Sequence, residues 1–198
     1  MHQSLSEQPQ AVRPGQRLPA PAPTSPERGR GCRVIWELSN RADPRAREIA
    51  DRHYNRQKPG TPQFVPPGRC LVLYAETDAG KALWVTSWPY AQYVRHAWAG
   101  AWMCSAFRNE SNILASELIR EAVAATRAHF GDPPPQGMVT FIDRRKVRPT
   151  MVHGTKTWGR TYELAGFHPV GETKGGLLAL QLLPEDMPAP QKAKGVPE

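Results

Sequence analysis

The sequence predicts an α/β fold in which a mixed sheet is flanked by helices, a single domain between two disordered tails. Three observations lead there. Short β-prone apolar runs and helical stripes follow one another in the order β-α-β-β-β-α-β-α-β-β. One long segment, "ILASELIREAVAATRAHF", has the 3.6-residue apolar period of an amphipathic helix. Prolines crowd the two ends, six within 1–30 and four within 184–198, and neither end carries apolar periodicity. Residues 1–31 therefore read as a basic, Pro-rich tail and 184–198 as a second tail, leaving 32–183 as the domain. About 150 residues is an ordinary size for one packed core.

"RVIWEL" at 33–38 is the first expected strand. Asp43 then suits an N-cap and Pro44 the first helical position, and Ala46, Ile49, Ala50 and Tyr54 make the stripe of a three-turn helix. Four prolines in "KPGTPQFVPPG" (58–68) forbid helix or central strand, so that stretch is a loop. "RCLVLYA" and "KALWVTS", separated by "ETDAG", form a hairpin. "WPYAQYVRHAWAG" (88–100) is aromatic and irregular, and "AWMCSAF" is a buried strand. The long helix follows, with Ile113, Leu114, Leu118, Ile119, Ala122 and Val123 as its stripe, and "GDPPPQG" ends it. "MVTFI" (138–142) is a further buried strand. After it come a basic loop from Asp143 to about Thr155, a short helix near 157–165 stopped by Gly166, and the strand pair "FHPVGET" and "GLLALQLL".

A formal charge of +8 and an isoelectric point of about 9.8 favour a polyanionic partner or a phosphate-bearing cofactor over plain solubility charge. Cys32, Cys70 and Cys104 form no CxxC pair and sit in or beside apolar runs, as buried thiols of a reducing compartment do. No metal-site spacing is present. No run of eighteen apolar residues and no secretory h-region occurs, so neither a membrane span nor a signal is expected.

The element order and the corner "YELAGFHPVG" resemble the GNAT acyltransferase superfamily. That resemblance implies a tyrosine, here Tyr162, whose hydroxyl protonates a leaving thiolate of coenzyme A; packing against the sheet is the plainer alternative. The superfamily's Q/R-x-x-G-x-G/A pyrophosphate turn is degraded here. "ESNILASELI" has Ile113 where the first glycine belongs, only Ala115 is small, and Glu110 adds negative charge. The donor is thus left open between acetyl-CoA and a related molecule.

Four stretches in order, "DRHYNRQKPG", "FRNESNILASELI", "MVTFIDRRK" and "HGTKTWGRTYELAGFHPVG", resemble the Mom family of phage DNA-modification proteins, a divergent GNAT branch, over about 51–173. This implies a carbamoylmethyl-type group added to adenine N6 in double-stranded DNA, in the cytoplasm of a bacterial host, shielding phage DNA from restriction. An acetyl-CoA-dependent N-acetyltransferase acting on a small molecule or protein is the alternative.

The chemistry asks for groups that hold and deprotonate a weakly nucleophilic amine. Tyr162, Asp143, His53 and Arg108 are the candidates for the centre. Asp143 follows a strand and suits a base, or else a turn cap. His53 suits acid, base or ligand duty, or simple burial. Arg108 suits an anion clamp, or a salt bridge to Glu110 or Glu117. Tyr54 would stack on a flipped base or is simply buried, Asn109 and Ser116 would supply hydrogen bonds or serve capping and helix packing, and Arg144, Arg145, Lys146 and Arg160 would track phosphates. Trp88, Tyr90, Tyr93 and Trp98 serve either stacking or core packing.

Overall fold

The structure, a computed structural model, describes residues 35–195 except 79 and 95. The expected N-terminal tail, Cys32 and the start of the first strand lie outside the described residues.

Seven strands form one mixed sheet. In chain order its elements are β1 (Glu37–Ser39), β2 (Cys70–Thr77), β3 (Gly80–Ser87), β4 (Trp102–Asn109), β5 (Met138–Ile142), β8 (His168–Glu172) and β9 (Leu178–Leu182). They lie in the order β1-β2-β3-β4-β5-β9-β8. Every neighbouring pair is antiparallel except β4 and β5. A parallel pair needs a crossover, and α2 (Ala115–Phe130) supplies it.

Each face of the sheet has its own core. On one face α2 lays Leu118, Ile119, Ala122 and Val123 against Leu71, Leu73, Trp84, Trp102 and Met138. On the other, α1 (Pro44–Asp51) lays Ala46, Ile49 and Ala50 against Val72, Tyr74, Leu83 and Val85. The alternation of β3, with Trp84 to one side and Leu83 and Val85 to the other, follows from the two-residue period of a strand. The outer strand β8 is exposed along its whole length, and Pro169 with a register shift before Gly171 blunts it as an edge.

The start signals of α1 are borne out. Asp43 accepts from the Arg45 amide and Pro44 opens α1. α1 stops after two turns rather than three, so His53 and Tyr54 occupy the turns beyond it. β1 is shorter than expected: Trp36 lies before it and its indole donates to the Leu118 carbonyl, docking onto α2. Ile113 and Leu114 precede α2 instead of joining its stripe, and Leu114 is exposed. Two short strands, β6 (Thr150–Val152) and β7 (Thr155–Thr157), form a separate hairpin inside the segment expected to be a loop.

The largest correction is the C-terminal segment. Residues 184–195 are not a disordered tail. Met187 and Ala193 are buried in the core. Arg127 donates to the Met187 and Pro188 carbonyls, and the Gln191 amide donates to Ala124. The Lys194 amide donates to Trp36, and Leu38 donates back to Lys194, beside β1. The prolines exclude helix and sheet ladder, but they do not prevent an extended strap that satisfies its polar groups locally.

Candidate functional site

The site is a gap between two parallel strands. β4 and β5 pair only from Trp102–Cys104 against Met138–Thr140, although β4 continues to Asn109. At the same point the β3–β4 register shifts: Thr86 faces Cys104 and Val85 faces Ala106, which leaves Ser105 as an extra residue. The bulge turns β4 away from β5, and backbone groups that would have paired need other partners.

The turn after α1 supplies them. Arg108 donates to the Arg52 carbonyl (2.7 Å), Asn55 Nδ2 donates to the Ser105 carbonyl (2.8 Å), and the Tyr54 hydroxyl donates to the Phe141 carbonyl (3.3 Å). Residues 52–55 therefore bridge from β4 to β5. Beside this wedge lies a cavity of about 340 Å³ lined by His53, Tyr54, Cys104, Arg108, Thr140, Arg148, Arg160 and Tyr162, among others. Among the described residues no carboxylate lines it.

Tyr162 stands on α3 (Arg160–Glu163), where sequence reasoning placed it. Gly159 starts that helix in the left-handed region (φ 79°), and Tyr162 donates its amide to the Gly159 carbonyl. A Cβ at 159 would sit 2.8 Å from Ile142 Cδ1, so the glycine lets α3 lie against β5 and β9. The Tyr162 ring packs edge-on against Phe107 and Phe167, and its oxygen is 3.5 Å from Cys104 Sγ. Burial, then the neighbouring Cys104, holds its pKa well above 10, so the phenol stays protonated at neutral pH. Burial likewise pushes the Cys104 thiol up to about 12, which keeps it a thiol and not a thiolate nucleophile.

His53 is buried and also lines the cavity. Burial lowers its pKa, with the Arg108 charge acting in the same sense and Asn55 and the Phe107 backbone against it. Its Nδ1 lies 2.5 Å from Asn55 Oδ1, while the Asn55 amide nitrogen is committed to Ser105. The Asn55 backbone amide approaches the same Nδ1 at 3.4 Å, so this nitrogen is held by Asn55 from two sides. Tyr54 is partly exposed, stacks beside the imidazole with centroids 4.6 Å apart, and has its pKa raised by burial.

Arg108 takes the plainer of its two expected roles. It pairs with Glu110 (2.5 Å), not Glu117, and still lines the cavity. Glu110 also pairs with Arg52 (2.6 Å), and the two guanidiniums, Arg52 first, pull its pKa to about 2. Its charge is thereby spent on cations of the protein.

Asp143 is a correction. Its carboxylate turns back to accept from the Arg145 amide (3.0 Å) and guanidinium (2.9 Å) and is not part of the cavity lining. Arg145, first, holds its pKa below the usual range. It caps the turn in which Lys146 and Val147 donate to its own carbonyl, the plainer of its two expected roles.

Asn109 and Ser116 also stand apart from the cavity lining. Asn109 accepts from Ser111 and donates to the Ile113 carbonyl, and Ser111 Oγ accepts the Ile113 amide. These local bonds consume amides that a pyrophosphate would need before α2. Ser116 lies in the first turn of α2. Arg144 pairs with Glu172 and lies over Trp158, and Arg145 is spent on Asp143. Lys146 is exposed. Arg160 pairs with Glu163 yet lines the cavity. Trp88 and Trp98 pack inward against Trp102 and Phe141, whereas Tyr90 and Tyr93 are exposed.

Three cavity or wedge residues, Cys104, Thr140 and Asn55, escaped sequence reasoning as site residues. Cys104 and Thr140 face each other across the last paired rung, and Thr140, the one polar residue of "MVTFI", was the available signal. Asn55 follows the His-Tyr pair directly, and Arg148 lay in the basic run already marked. A second cavity, about 570 Å³, lies under the Pro-rich loop and shares His53, Ser105 and Ala106 with the first. Among the described residues no cluster of His, Cys, Asp or Glu is placed to hold a metal, and no helix is long and apolar enough to cross a membrane. Comparison with protein-family models, with curated proteins and with solved structures finds no match to this chain.

Proposed function

We propose that the chain is a GNAT-like transferase that modifies the N6 amine of adenine in DNA with a carbamoylmethyl-type group. The observation that carries this is the bulged gap between β4 and β5, where a protonated phenol and a neutral imidazole meet three arginines and, among the described residues, no carboxylate. The amine must lose a proton as its new bond forms, and His53 is the group kept neutral for that purpose. Tyr162 donates a proton to the leaving group. Tyr54 offers a ring face to the base, and Arg108, Arg148 and Arg160 offer charge to phosphate or to an anionic part of the donor. Asp143 has no part in the chemistry. The self-bonded turn before α2 weighs against plain acetyl-CoA binding.

The test is expression in bacteria, digestion of cellular DNA to nucleosides and mass spectrometry. A deoxyadenosine heavier by one carbamoylmethyl group is expected, lost in Tyr162→Phe while the protein stays folded. Unmodified DNA from soluble wild-type protein, together with a coenzyme A complex by calorimetry, would replace this proposal with small-molecule or protein acetylation.

A further inference from the structure

We propose that the β6–β7 hairpin is a wedge that enters duplex DNA beside the cavity, with Met151 filling the place of the base that leaves the stack. This rests on the DNA-modification reading and specifies how that site meets its partner.

The hairpin is rooted at the cavity. Arg148 and Thr150, just before and within β6, line it. The root is pinned where the Trp158 indole donates to the Val147 carbonyl. His153 (φ 48°) and Gly154 (φ 79°) close the turn. Side chains along a strand alternate, so Met151 points away from the cavity that Thr150 faces. Met151 is 59% exposed and belongs to none of the hydrophobic clusters of the described residues. Its cross-strand partner is Lys156, also exposed.

β6 is therefore a wall one strand thick, with a cavity on one side and an apolar side chain flanked by a cation on the other. A base rotated out of a duplex crosses such a wall and leaves a gap in the stack, and apolar side chains inserted at base steps fill gaps of this kind. The partner's charge is indicated by the segment itself. Residues 144–162 hold six Lys or Arg and no Asp or Glu; Arg144, Arg145 and Arg160 pair with Glu172, Asp143 and Glu163, while Lys146, Arg148 and Lys156 make no ion pair among the described residues. That complements a phosphate backbone.

The experiment uses the full chain and a duplex oligonucleotide in which 2-aminopurine replaces the adenines of one strand; its fluorescence rises when a base unstacks. Wild-type protein is expected to bind and raise the signal. Met151→Ala is expected to bind with the same salt dependence yet lose most of the rise, and Met151→Leu to restore it. Lys156→Ala is expected to reduce the slope of log affinity against log salt by about one. A full rise with Met151→Ala, or a wild-type complex with no rise, overturns the wedge while leaving the proposed activity to the nucleoside assay. Wild-type protein that binds no duplex overturns both.

Discussion

Asp143 and His53 show how the same residue types diverge once their neighbours are known. A carboxylate at a strand end has an open choice between chemistry and capping, and Arg145 two residues on decides it by offering both an amide and a guanidinium. Asp143→Asn keeps an acceptor for that amide. It should retain wild-type adenine modification with only a few tenths of a kcal/mol lost, whereas Asp143→Ala should cost about 1 kcal/mol in urea denaturation. Loss of modification in a stable Asp143→Asn protein would return the carboxylate to the reaction. His53 gives a prediction in pH. Its folded pKa lies below the 6.5 of an unfolded histidine, so on acidification the unfolded chain binds a proton that the native state refuses. Stability should fall as pH drops below about 6.5, with the decline continuing through the folded pKa. Melting temperatures from pH 7.5 to 5 should fall less steeply in His53→Gln. Some slope should remain, because burial also lowers His96 and His129. Equal slopes would mean the imidazole is not held neutral.

At the scale of elements, the placement of Tyr162 depends on the join between β7, α3 and the sheet. Gly159 makes that join by adopting a positive φ where an added Cβ would press on the terminal methyls of Ile142 and Leu180. Gly159→Ala combines left-handed strain with crowding against Ile142 and Leu180. It should cost about 2–4 kcal/mol by urea denaturation and depress modification more than that loss of folded protein explains. The helices and most strands were legible from periodicity, caps and turn residues, because those signals are local. The early end of α1 was not, since Ala46, Ile49 and Ala50 fit a longer helix equally well, and what stops it is the demand of β4 and β5 for partners at 52–55. The β6–β7 hairpin was hidden for a related reason. Its six strand residues bury little and show no alternation of apolar and polar side chains.

At the scale of the whole described domain, the C-terminal strap closes the α2 side of the core. It covers Trp36 and α2 and supplies the carbonyls that Arg127 requires. Deleting residues 184–198 would expose Met187 and Ala193 and strip several hydrogen bonds. The truncated protein should lose upwards of about 4 kcal/mol, seen as a lower denaturation midpoint or as insolubility. A truncation as stable as the full chain would mean the strap adds nothing to the fold. Its composition, rich in proline and poor in periodicity, matches that of a disordered tail. Only the surface it meets distinguishes the two.

The sequence by itself determined the alternation of strands and helices, the start of α1, and the position of Tyr162 on a short helix before a glycine corner. All of these follow from spacing and from the conformational limits of Gly, Pro and Asp within a few residues. Tertiary structure alone decided that His53, Tyr54, Arg108 and Tyr162 surround one gap while Arg145 takes the Asp143 carboxylate. It also decided that two arginines neutralise Glu110 and that Thr140 meets Cys104. Those outcomes depend on where two strands part. That in turn depends on side-chain hydrogen bonds to backbone carbonyls between residues some 50 to 90 positions apart, which no local pattern encodes.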